Sequence, residues 1–372
     1  MKLRLCDGNE ALAWAAFEAG CRFFAGYPIT PATSIFNAML NILPPAGGIV
    51  LQAEDEIAAM GYCIGASMCG LKAMTATSGP GLSLYSEQLS FAIGSEIPLV
   101  VVDVQRLGPS TGSATKGADG DIQFLRWGTS GGLPVIVLAP VDAGDCFTLT
   151  LHAFNLAEQY RCPVFLASNK EVALTRETVD WSSMERPAII DRAPPRADRP
   201  FLPFQPLPDS DVPGFLPLGD ATLVRQTSST HGTDAYITTD PAVISSINER
   251  MKRKVESRVD RFSYAQAVIE PQAETMIVTY GITGRAARDA CKELKARGKP
   301  ASLLILKTLW PVPEELIRQQ TQDAKRVLVV EMNLGQYVTE VKRILKHKSV
   351  EFLGQMNGRL ITPAQIREAA IG

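Results

Sequence analysis

The chain has 372 residues, of which 46% are hydrophobic and 20% are charged, and its formal net charge at pH 7 is −2. This length is sufficient for two or three domains with cores of their own. The near-neutral charge excludes an electrostatic argument for nucleic acid or an anionic membrane as a partner. The sequence shows no apolar signal core at its start and no run of about 18 apolar residues, which predicts a cytoplasmic protein that does not enter a membrane.

Seven cysteines are scattered along the chain without a C-x-x-C pair: Cys6, Cys21, Cys63, Cys69, Cys146, Cys162 and Cys291. This spacing excludes a recognisable zinc or iron–sulfur cradle, so no metal ligands are predicted in this chain. An odd number of dispersed cysteines fits a reducing compartment, where most of them are expected to be buried as small apolar side chains.

Strands and helices alternate regularly over the first 170 residues. A helix capped by Asn9 is predicted to run to Glu18. Six apolar strands follow it, at residues 21–26, 47–52, 71–78, 98–105, 133–140 and 163–170. Between them the pattern predicts helices, at 31–43, 54–70, 78–97 and 142–160. Because the strands are apolar along their whole length, they indicate a parallel sheet covered by helices on both faces.

The alternation stops after residue 170. Residues 171–240 are proline-rich and are interpreted as an extended excursion of a first domain that covers residues 1–240. Residues 241–273 are predicted to form a linker helix, in which the basic run MKRKVESR is a solvated face. A second alternating unit at 274–372 predicts a smaller parallel α/β domain. Its strands are predicted at 274–281, 300–310 and 326–332.

The turn after the first apolar strand has the sequence GYPITPATSIF, residues 26–36. Thr30 followed by Pro31 is typical of an N-cap with proline at the first helical position, so a helix is predicted to begin there. The helix N-terminus, together with the hydroxyls of Thr30, Thr33 and Ser34, favours a carboxylate or phosphate ligand. A capped helix without any ligand is the alternative.

An acidic cluster at residues 54–56 opens a helix rich in small residues, and the next strand leads into the turn TSGPG at 77–81. An acidic residue at a helix start is also typical of a simple cap matched to the helix dipole. The combination resembles the pyrimidine-binding domain of thiamine diphosphate enzymes. In that family a glutamate hydrogen-bonds the aminopyrimidine nitrogen, which requires a carboxylate in a mostly apolar interface. Aligning Gly65 with the glycine nine residues after that glutamate selects Glu56, with Glu54 as the alternative.

Four segments together resemble the α subunit of the 2-oxoacid:ferredoxin oxidoreductases: YPITP (27–31), EDEIAA (54–59), QRLGPSTGSATKGADGDI (105–122) and EMNLGQ (331–336). The resemblance covers nearly the whole chain. It implies an α/β fold with a pyrimidine-type thiamine diphosphate-binding domain, built on a parallel sheet, and a smaller α/β domain like the transketolase C-terminal domain.

The resemblance also assigns roles to individual residues. Thr30 and Arg106 correspond to the threonine and arginine that hold the 2-oxoacid carboxylate and carbonyl beside the thiazolium ring. A guanidinium fixes a carboxylate in two-pronged geometry, which is a positioning role, whereas a surface ion pair is the alternative for Arg106. The loop PSTG-x-x-TK is most similar to the 2-oxoglutarate enzymes, in which Thr111 and Lys116 would reach the distal carboxylate. The implied cofactor contacts are Tyr27, Pro28, Ile29 and Glu56.

The chain lacks the diphosphate half of such a site. The resembled enzymes bind Mg²⁺ and the diphosphate through a GDG segment and a later asparagine, and GADGDI at 117–122 does not fit that pattern. A β subunit is therefore expected to supply Mg²⁺, the diphosphate site and a [4Fe–4S] cluster, with thiamine diphosphate shared across the interface of an (αβ)2 assembly. Coenzyme A and ferredoxin are the expected co-substrate and electron acceptor, and γ- and δ-type subunits are left open.

The resemblance implies oxidative decarboxylation of 2-oxoglutarate to succinyl-CoA and CO2, with electrons passing through iron–sulfur clusters to ferredoxin. Three alternatives stay open. The chain could belong to a 2-oxoisovalerate or pyruvate enzyme. It could belong to a non-redox two-chain thiamine diphosphate decarboxylase, whose partner would lack clustered cysteines. A non-catalytic protein would not bind thiamine diphosphate even with its partner present.

Overall fold

The computed structural model describes residues 2–371. Its strands are β1 Leu3–Cys6, β2 Cys21–Gly26, β3 Ile49–Gln52, β4 Lys72–Thr77, β5 Leu99–Gln105, β6 Ile136–Leu138, β7 Pro163–Asn169, β8 Glu177–Asp180, β9 Ala265–Val268, β10 Thr275–Tyr280, β11 Ala301–Leu306, β12 Thr308–Trp310, β13 Arg326–Glu331 and β14 Ser349–Gly354. Its helices are α1 Gly8–Glu18, α2 Thr33–Ile42, α3 Glu56–Met68, α4 Gly79–Leu84, α5 Ser86–Gly94, α6 Ile122–Trp127, α7 Ala143–Tyr160, α8 Lys170–Leu174, α9 Pro241–Glu256, α10 Thr283–Ala296, α11 Glu314–Thr321, α12 Val338–Ile344 and α13 Pro363–Ile371.

The larger sheet has seven strands in the order β12-β6-β7-β5-β4-β2-β3. The strands from β6 to β3 run parallel, whereas β12 is antiparallel to β6. Alternate residues of β5 enter opposite cores: Val100 and Val102 share one with α1, α2 and α7, and Leu99 and Val101 share the other with α3 and α5. This arrangement confirms the predicted sheet covered on both faces, because a strand buried on two sides must be apolar throughout.

The smaller sheet has five strands in the order β14-β13-β10-β11-β9, and all of its pairs are parallel except β11 with β9. Ala290 of α10 and Ile366 of α13 lie in one core, and Ile317 of α11 and Val341 of α12 lie in the other. Strand β9 falls within residues 241–273, of which α9 forms only the first part. The division of the chain into three parts at residues 240 and 273 stays a prediction.

Residues 300–310, predicted as one strand of the smaller unit, form two strands, and this prediction is wrong. Strand β11 pairs with β10 in the smaller sheet, whereas β12 crosses to the edge of the larger one. The break lies at Lys307, whose N–H donates to the Tyr264 carbonyl at 2.9 Å while its own carbonyl accepts from the Ala139 N–H at 2.8 Å. One continuous stretch of backbone therefore joins the two sheets.

The first helix also differs from the predicted one, because a short strand precedes it and its cap is another residue. Strand β1 pairs antiparallel with β8, and α1 is capped by Asp7, whose carboxylate accepts from the Glu10 N–H at 2.9 Å. Asn9, predicted as the cap, is buried within the first turn of α1. Because the cap precedes the first helical residue, a shift of two positions leaves the Asn9 side chain available for other contacts.

Helix α2 begins at Thr33 and not at Pro31, so the predicted capping role of Thr30 is wrong. The carbonyl of an N-cap residue accepts the first intrahelical hydrogen bond. The Thr30 carbonyl instead accepts from Arg106 Nη1 at 2.6 Å, and the Thr33 N–H donates to the Ile29 carbonyl at 2.9 Å. The exposed side chain of Thr30 is therefore not used to start the helix.

The basic run at 251–258 is only partly solvated, which corrects the predicted exposed face. Lys254 Nζ donates to Glu96 Oε2 at 2.7 Å, and Arg250 Nη2 donates to Glu96 Oε1 at 2.5 Å, with all three side chains buried. Burial alone would raise the pKa of Glu96, but the charges of Lys254 and Arg250 outweigh it and lower that pKa to about 2. Helical periodicity brings residues 250 and 254 to the same inner face.

Most of the cysteines are buried, as predicted; Cys69 is exposed and Cys291 half-buried. Within residues 2–371, no helix is both long and apolar enough to traverse a bilayer. The same part of the chain brings no three His, Cys, Asp or Glu side chains together as a metal-binding group.

Candidate active site

The predicted site residues follow four neighbouring strands of the larger sheet. Strands β3, β2, β4 and β5 are adjacent and parallel, and they end at Gln52, Gly26, Thr77 and Gln105. Shortly after these ends come Glu56, the turn 27–31, the TSGPG turn and Arg106. Ligands of open parallel sheets bind at the carboxyl ends of the strands, so the topology places all four motifs at the edge where a site is expected.

Arg106 connects two of these loops. Its side chain is 7% exposed, and it donates from Nη1 to the Thr30 carbonyl at 2.6 Å and from Nη2 to the Thr111 carbonyl at 2.9 Å. Within residues 2–371, its Nε is buried without a hydrogen-bond partner. A guanidinium has further N–H donors beyond these two. The structure therefore brings Thr30, Arg106 and Thr111 together and leaves donors of Arg106 for a ligand; it gives no sign of the surface ion pair considered as the alternative.

Asn9, which was predicted to be a helix cap, lies in α1 and holds the same turn. Its Nδ2 donates to the Pro31 carbonyl at 3.0 Å and to Ser34 Oγ at 2.7 Å. The side chain is 1% exposed, and its Oδ1 accepts no hydrogen bond from residues 2–371. Two consecutive carbonyls, those of Thr30 and Pro31, are thus held by two side chains from distant parts of the chain.

The side chains of the turn itself point away from the core to different degrees. Tyr27 is 40% exposed and Thr30 is also exposed. Pro28 and Ile29 are half-buried, and Ile29 packs against the core beneath α2. The backbone of the turn is therefore fixed, while part of its side-chain surface faces outward.

Glu56 is the buried member of the acidic cluster. It is 6% exposed, whereas Glu54 and Asp55 are exposed, and Asp55 caps α3 by accepting from the Ala58 N–H at 2.8 Å. A Cβ atom on Gly81 would overlap Thr77 Oγ1 and would lie 2.8 Å from Glu56 Oε1. The Glu56 carboxyl group therefore lies directly against the first turn of α4, and only glycine leaves it that space.

Residues 107–116 form a closed loop above the arginine. The Leu107 N–H donates to the Lys116 carbonyl and the Ser113 N–H donates to the Leu107 carbonyl, both at 2.8 Å. Gly112 has φ = 50°, and a Cβ atom there would overlap the Leu107 carbonyl oxygen. The side chains of Thr111 and Lys116 are exposed, but the aliphatic part of Lys116 packs against Gly358. The structure thus brings Thr111 to Arg106 and directs Lys116 towards the C-terminal segment.

Two carboxyl groups near the arginine were missed in the sequence, the buried Asp103 and the half-buried Asp121. Asp103 lies in β5 with both carboxyl oxygens unpaired within residues 2–371, and Asp121 accepts no bond at Oδ2. Burial raises the pKa of Asp103, and the neighbouring Asp121 raises it further. Burial also raises the pKa of Asp121 to about 6, and the charge of Arg106 acts in the opposite direction. A charged residue inside the apolar run PLVVVDVQ was the available signal.

The segment EMNLGQ connects the site to the smaller sheet. Glu331 accepts from the Tyr280 hydroxyl at 2.8 Å and from the N–H groups of Tyr337 and Val338 at 2.9 and 2.8 Å. Asn333 Nδ2 donates to the Asp119 carbonyl at 2.8 Å. The segment therefore forms a joint between the smaller sheet and the loop that carries GADGDI.

Asp119 lies on the other side of this joint. Its Oδ1 accepts from Asn169 Nδ2 at 2.7 Å, and its N–H donates to the Met332 carbonyl at 2.9 Å. Burial raises the pKa of Asp119 to about 7 in spite of the hydrogen bond from Asn169. Asn169 ends β7, so this joint reaches the same carboxyl edge of the larger sheet.

An open parallel sheet with a buried glutamate, an arginine and a glycine-lined turn at its carboxyl edge is the arrangement that the resemblance implies for a thiamine diphosphate-binding domain of the pyrimidine type. Residues 14–262 match the family described as pyruvate flavodoxin/ferredoxin oxidoreductase, thiamine diphosphate-binding, and residues 273–366 match pyruvate:ferredoxin oxidoreductase core domain II. The chain belongs to the 2-oxoacid:ferredoxin oxidoreductase family, which confirms the resemblance and the fold class predicted from the motifs.

Individual relatives place the chain among the α subunits. It is 39% identical to the 2-oxoglutarate synthase subunit KorA of Methanocaldococcus jannaschii, over 100% of both chains. It is 32% identical to the ketoisovalerate oxidoreductase subunit VorB of Methanothermobacter marburgensis, over 97% of this chain and 95% of VorB.

A solved structure of the 2-oxoglutarate:ferredoxin oxidoreductase from Magnetococcus marinus, with 2-oxoglutarate, coenzyme A and succinyl-CoA bound, is similar to the whole chain. It superposes with a TM-score of 0.95 at 32% identity. The chain covers 65% of that longer chain. Relatives named as subunits act with other subunits.

Proposed function

We propose that the chain is the α subunit of a thiamine diphosphate-dependent enzyme that oxidatively decarboxylates 2-oxoglutarate with coenzyme A, forming succinyl-CoA and CO2 and passing electrons through iron–sulfur clusters to ferredoxin. The observation that carries this proposal is Arg106, a buried arginine bonded to the Thr30 and Thr111 carbonyls at the carboxyl edge of the sheet. A buried guanidinium with donors left over is suited to a carboxylate substrate.

The residues of this chain would bind and orient. Arg106, with the Thr30 hydroxyl, would hold the 2-oxoacid carboxylate and carbonyl. Holding the reacting carbon in the productive orientation would lower the entropic part of the activation barrier. Glu56 would hydrogen-bond the aminopyrimidine of the cofactor, for which its burial against Gly81 is suitable. Tyr27, Pro28 and Ile29 would contact the cofactor from the turn. Thiamine diphosphate supplies the carbon nucleophile of this chemistry when it is bound.

A β subunit would complete the site with Mg²⁺, the diphosphate contacts and a [4Fe–4S] cluster. Apolar side chains next to the site support a covering partner: Ile57 and Tyr62 on α3 and Leu84 on α4 are each 43–48% exposed. Helix α3 is also rich in small residues, which allows another backbone to approach closely. We therefore propose that the partner binds over α3 and α4 within an (αβ)2 assembly. Separately, we propose that the domain boundaries of this chain fall near residues 240 and 273.

The partner proposal is tested by titrating thiamine diphosphate and Mg²⁺ calorimetrically into the chain alone and into the co-purified complex. We expect binding by the complex and weak binding by the chain alone, because the chain has the pyrimidine-side motif without a diphosphate site. Tight, Mg²⁺-dependent binding by the lone chain would contradict the proposal.

The choice of 2-oxoglutarate rests on Thr111 and Lys116. Thr111 lies beside Arg106 through its carbonyl, and both side chains are exposed at the loop where a distal carboxylate could be bound. Four relatives named 2-oxoglutarate synthase subunit KorA, 36–39% identical, support this substrate over 2-oxoisovalerate, which VorB represents at 32%. Lys116→Met should lower kcat/KM for 2-oxoglutarate at least about tenfold without a comparable loss for pyruvate.

Arg106 and the Thr30 hydroxyl together form the proposed carboxylate clamp. This clamp is tested by Arg106→Lys in the assembled enzyme, with a dye as electron acceptor and three substrates: 2-oxoglutarate, pyruvate and 2-oxoisovalerate. The change keeps the charge but removes the two-pronged geometry. We expect kcat/KM for every accepted 2-oxoacid to fall at least about tenfold, roughly 1.4 kcal/mol, with the KM for coenzyme A little changed. Wild-type kinetics on all three substrates would overturn the clamp. Absence of dye reduction in a decarboxylating wild-type enzyme would favour a non-redox decarboxylase.

A further inference from the structure

We propose that Asn9 is a positioning residue for the 2-oxoacid carboxylate: from α1 it holds the turn that presents Thr30 to the substrate, at atoms next to the one that Arg106 holds. This inference rests on the proposed function, in which Thr30 and Arg106 form the clamp. Asn9 does not touch the substrate; it would act through the Pro31 carbonyl and the Ser34 hydroxyl.

The geometry gives Asn9 control of the turn on both sides of Pro31. Its Nδ2 donates one hydrogen bond to the Pro31 carbonyl at 3.0 Å and another to Ser34 Oγ at 2.7 Å. The neighbouring Thr30 carbonyl is held by Arg106 at 2.6 Å. Residues 30 to 34 are therefore fixed by two side chains that approach from different elements, and loss of either one releases part of the turn.

The support beneath Asn9 is rigid. Helix α1 buries Ala11, Leu12 and Ala15 in the core shared with α2 and α7, and Asp7 caps its first turn. A group on a rigid helix can hold a loop within the few tenths of an ångström that a carboxylate clamp needs. The α1 helix thus serves as the anchor from which the turn is positioned.

The unpaired Oδ1 of Asn9 distinguishes this amide from one that serves packing alone. A buried amide with an unsatisfied oxygen costs stability compared with an apolar residue of similar size. Asn155 in α7 offers the contrast: its Nδ2 donates to the Ala188 carbonyl and its Oδ1 accepts from the Ile190 N–H, both at 2.8 Å. Asn155 is 6% exposed and ties the proline-rich excursion down, with both ends of its amide satisfied.

The test compares Asn9→Leu and Asn9→Asp with the matched variant Asn155→Leu, each in the assembled enzyme. Asn9→Leu removes both donors at similar volume, and Asn9→Asp replaces the donating nitrogen by an oxygen. We expect both to raise the KM for 2-oxoglutarate at least about tenfold with a smaller change in kcat and an unchanged KM for coenzyme A. Asn155→Leu should lower the melting temperature while leaving the KM for 2-oxoglutarate within about twofold of wild type.

Ser34→Ala keeps the proposal testable if the Asn9 variants do not assemble. It removes only the Asn9–Ser34 hydrogen bond, on a half-buried residue, and should raise the same KM by about threefold. An unchanged KM for 2-oxoglutarate in the assembled variants, or an equal rise in Asn155→Leu, would overturn the role of Asn9. A defect in Arg106→Lys with none in the Asn9 variants would overturn this inference alone, whereas wild-type kinetics of Arg106→Lys would overturn the proposed function.

Discussion

The turn at 27–31 and the segment at 331–336 are both motifs of the same family, but the structure uses their side chains in opposite ways. In the turn, Asn9 and Arg106 hold the backbone carbonyls from outside, and the turn's own Thr30 stays exposed. A fixed backbone with outward side chains is the arrangement that a ligand site requires.

The segment at 331–336 shows the reverse. Glu331 and Asn333 are buried, and their polar atoms are bonded to Tyr280, to backbone N–H groups and to the Asp119 carbonyl. Within residues 2–371, the polar atoms of these two side chains already have hydrogen-bond partners, so they are not free to bind a ligand. Two motifs of one family can therefore differ in whether their polar side chains are exposed or are hydrogen-bonded inside the protein.

The largest effect on activity is expected at Glu56. Glu56→Gln should leave the assembly intact and slow hydrogen–deuterium exchange at the thiazolium carbon by about 10²- to 10⁴-fold, because a neutral amide could not accept the proton that the carboxylate would share with the aminopyrimidine in the proposed function. The exchange is followed by NMR in the assembled enzyme. Glu54→Gln is the matched control, since Glu54 is exposed on the same turn. A defect in Glu54→Gln without one in Glu56→Gln would show that the other acid contacts the pyrimidine.

The joint should show its effect in stability. Glu331→Ala leaves the Tyr280 hydroxyl and two backbone N–H groups without their acceptor, so the free energy of unfolding should fall by roughly 3 kcal/mol or more, at about 1–3 kcal/mol for each buried unsatisfied group. Denaturant unfolding measures the change. Glu351→Ala, which breaks the partly exposed pair with Arg326, should cost less than about 1 kcal/mol. An equally small loss for Glu331→Ala would contradict the role of the joint.

Asp119 makes the joint sensitive to pH. Its pKa is raised by burial to about 7 from the ordinary 3.8, so between these values the folded protein holds a proton that the unfolded chain has lost. The stability that this proton contributes is complete below about pH 4 and is lost as the pH rises towards 7. The free energy of unfolding should therefore fall as the pH rises through this range. Asp119→Asn should reduce the slope of that fall by the equivalent of about one proton, and the titration of Asp103 and Asp121 should account for the slope that is left. An unchanged slope would place the titration elsewhere.

The smallest effect on stability is expected at Thr30. Because its side chain does not cap α2, Thr30→Ala should change the free energy of unfolding by less than about 0.5 kcal/mol. The same variant should raise the KM for the 2-oxoacid, and Thr30→Ser, which keeps the hydroxyl, should be close to wild type. A stability loss of about 1 kcal/mol, typical of a lost cap, would mean that the turn depends on this side chain after all.

The sequence by itself determined the features that arise from local periodicity and from short motifs. Continuous apolar runs between helices predicted the parallel sheet, because only a strand buried on both faces lacks alternation. The order of the four segments predicted the family. The sheet could be predicted because periodicity depends on neighbours within a few residues, and the family because several short motifs occur together in one order.

Only the tertiary structure decided which polar side chains are buried and what they contact. Asn9 looked like a cap and is the anchor of a turn more than twenty residues away; Lys254 looked solvated and pairs with Glu96. Strand β12 left its own unit because the edge of β6 was available to pair with it. Glu56 differs from Glu54 in burial, although the two are only two residues apart at the start of α3. In each case the outcome depends on a partner distant in sequence, and the free energy of burying a polar group is set by that partner, which no local pattern contains.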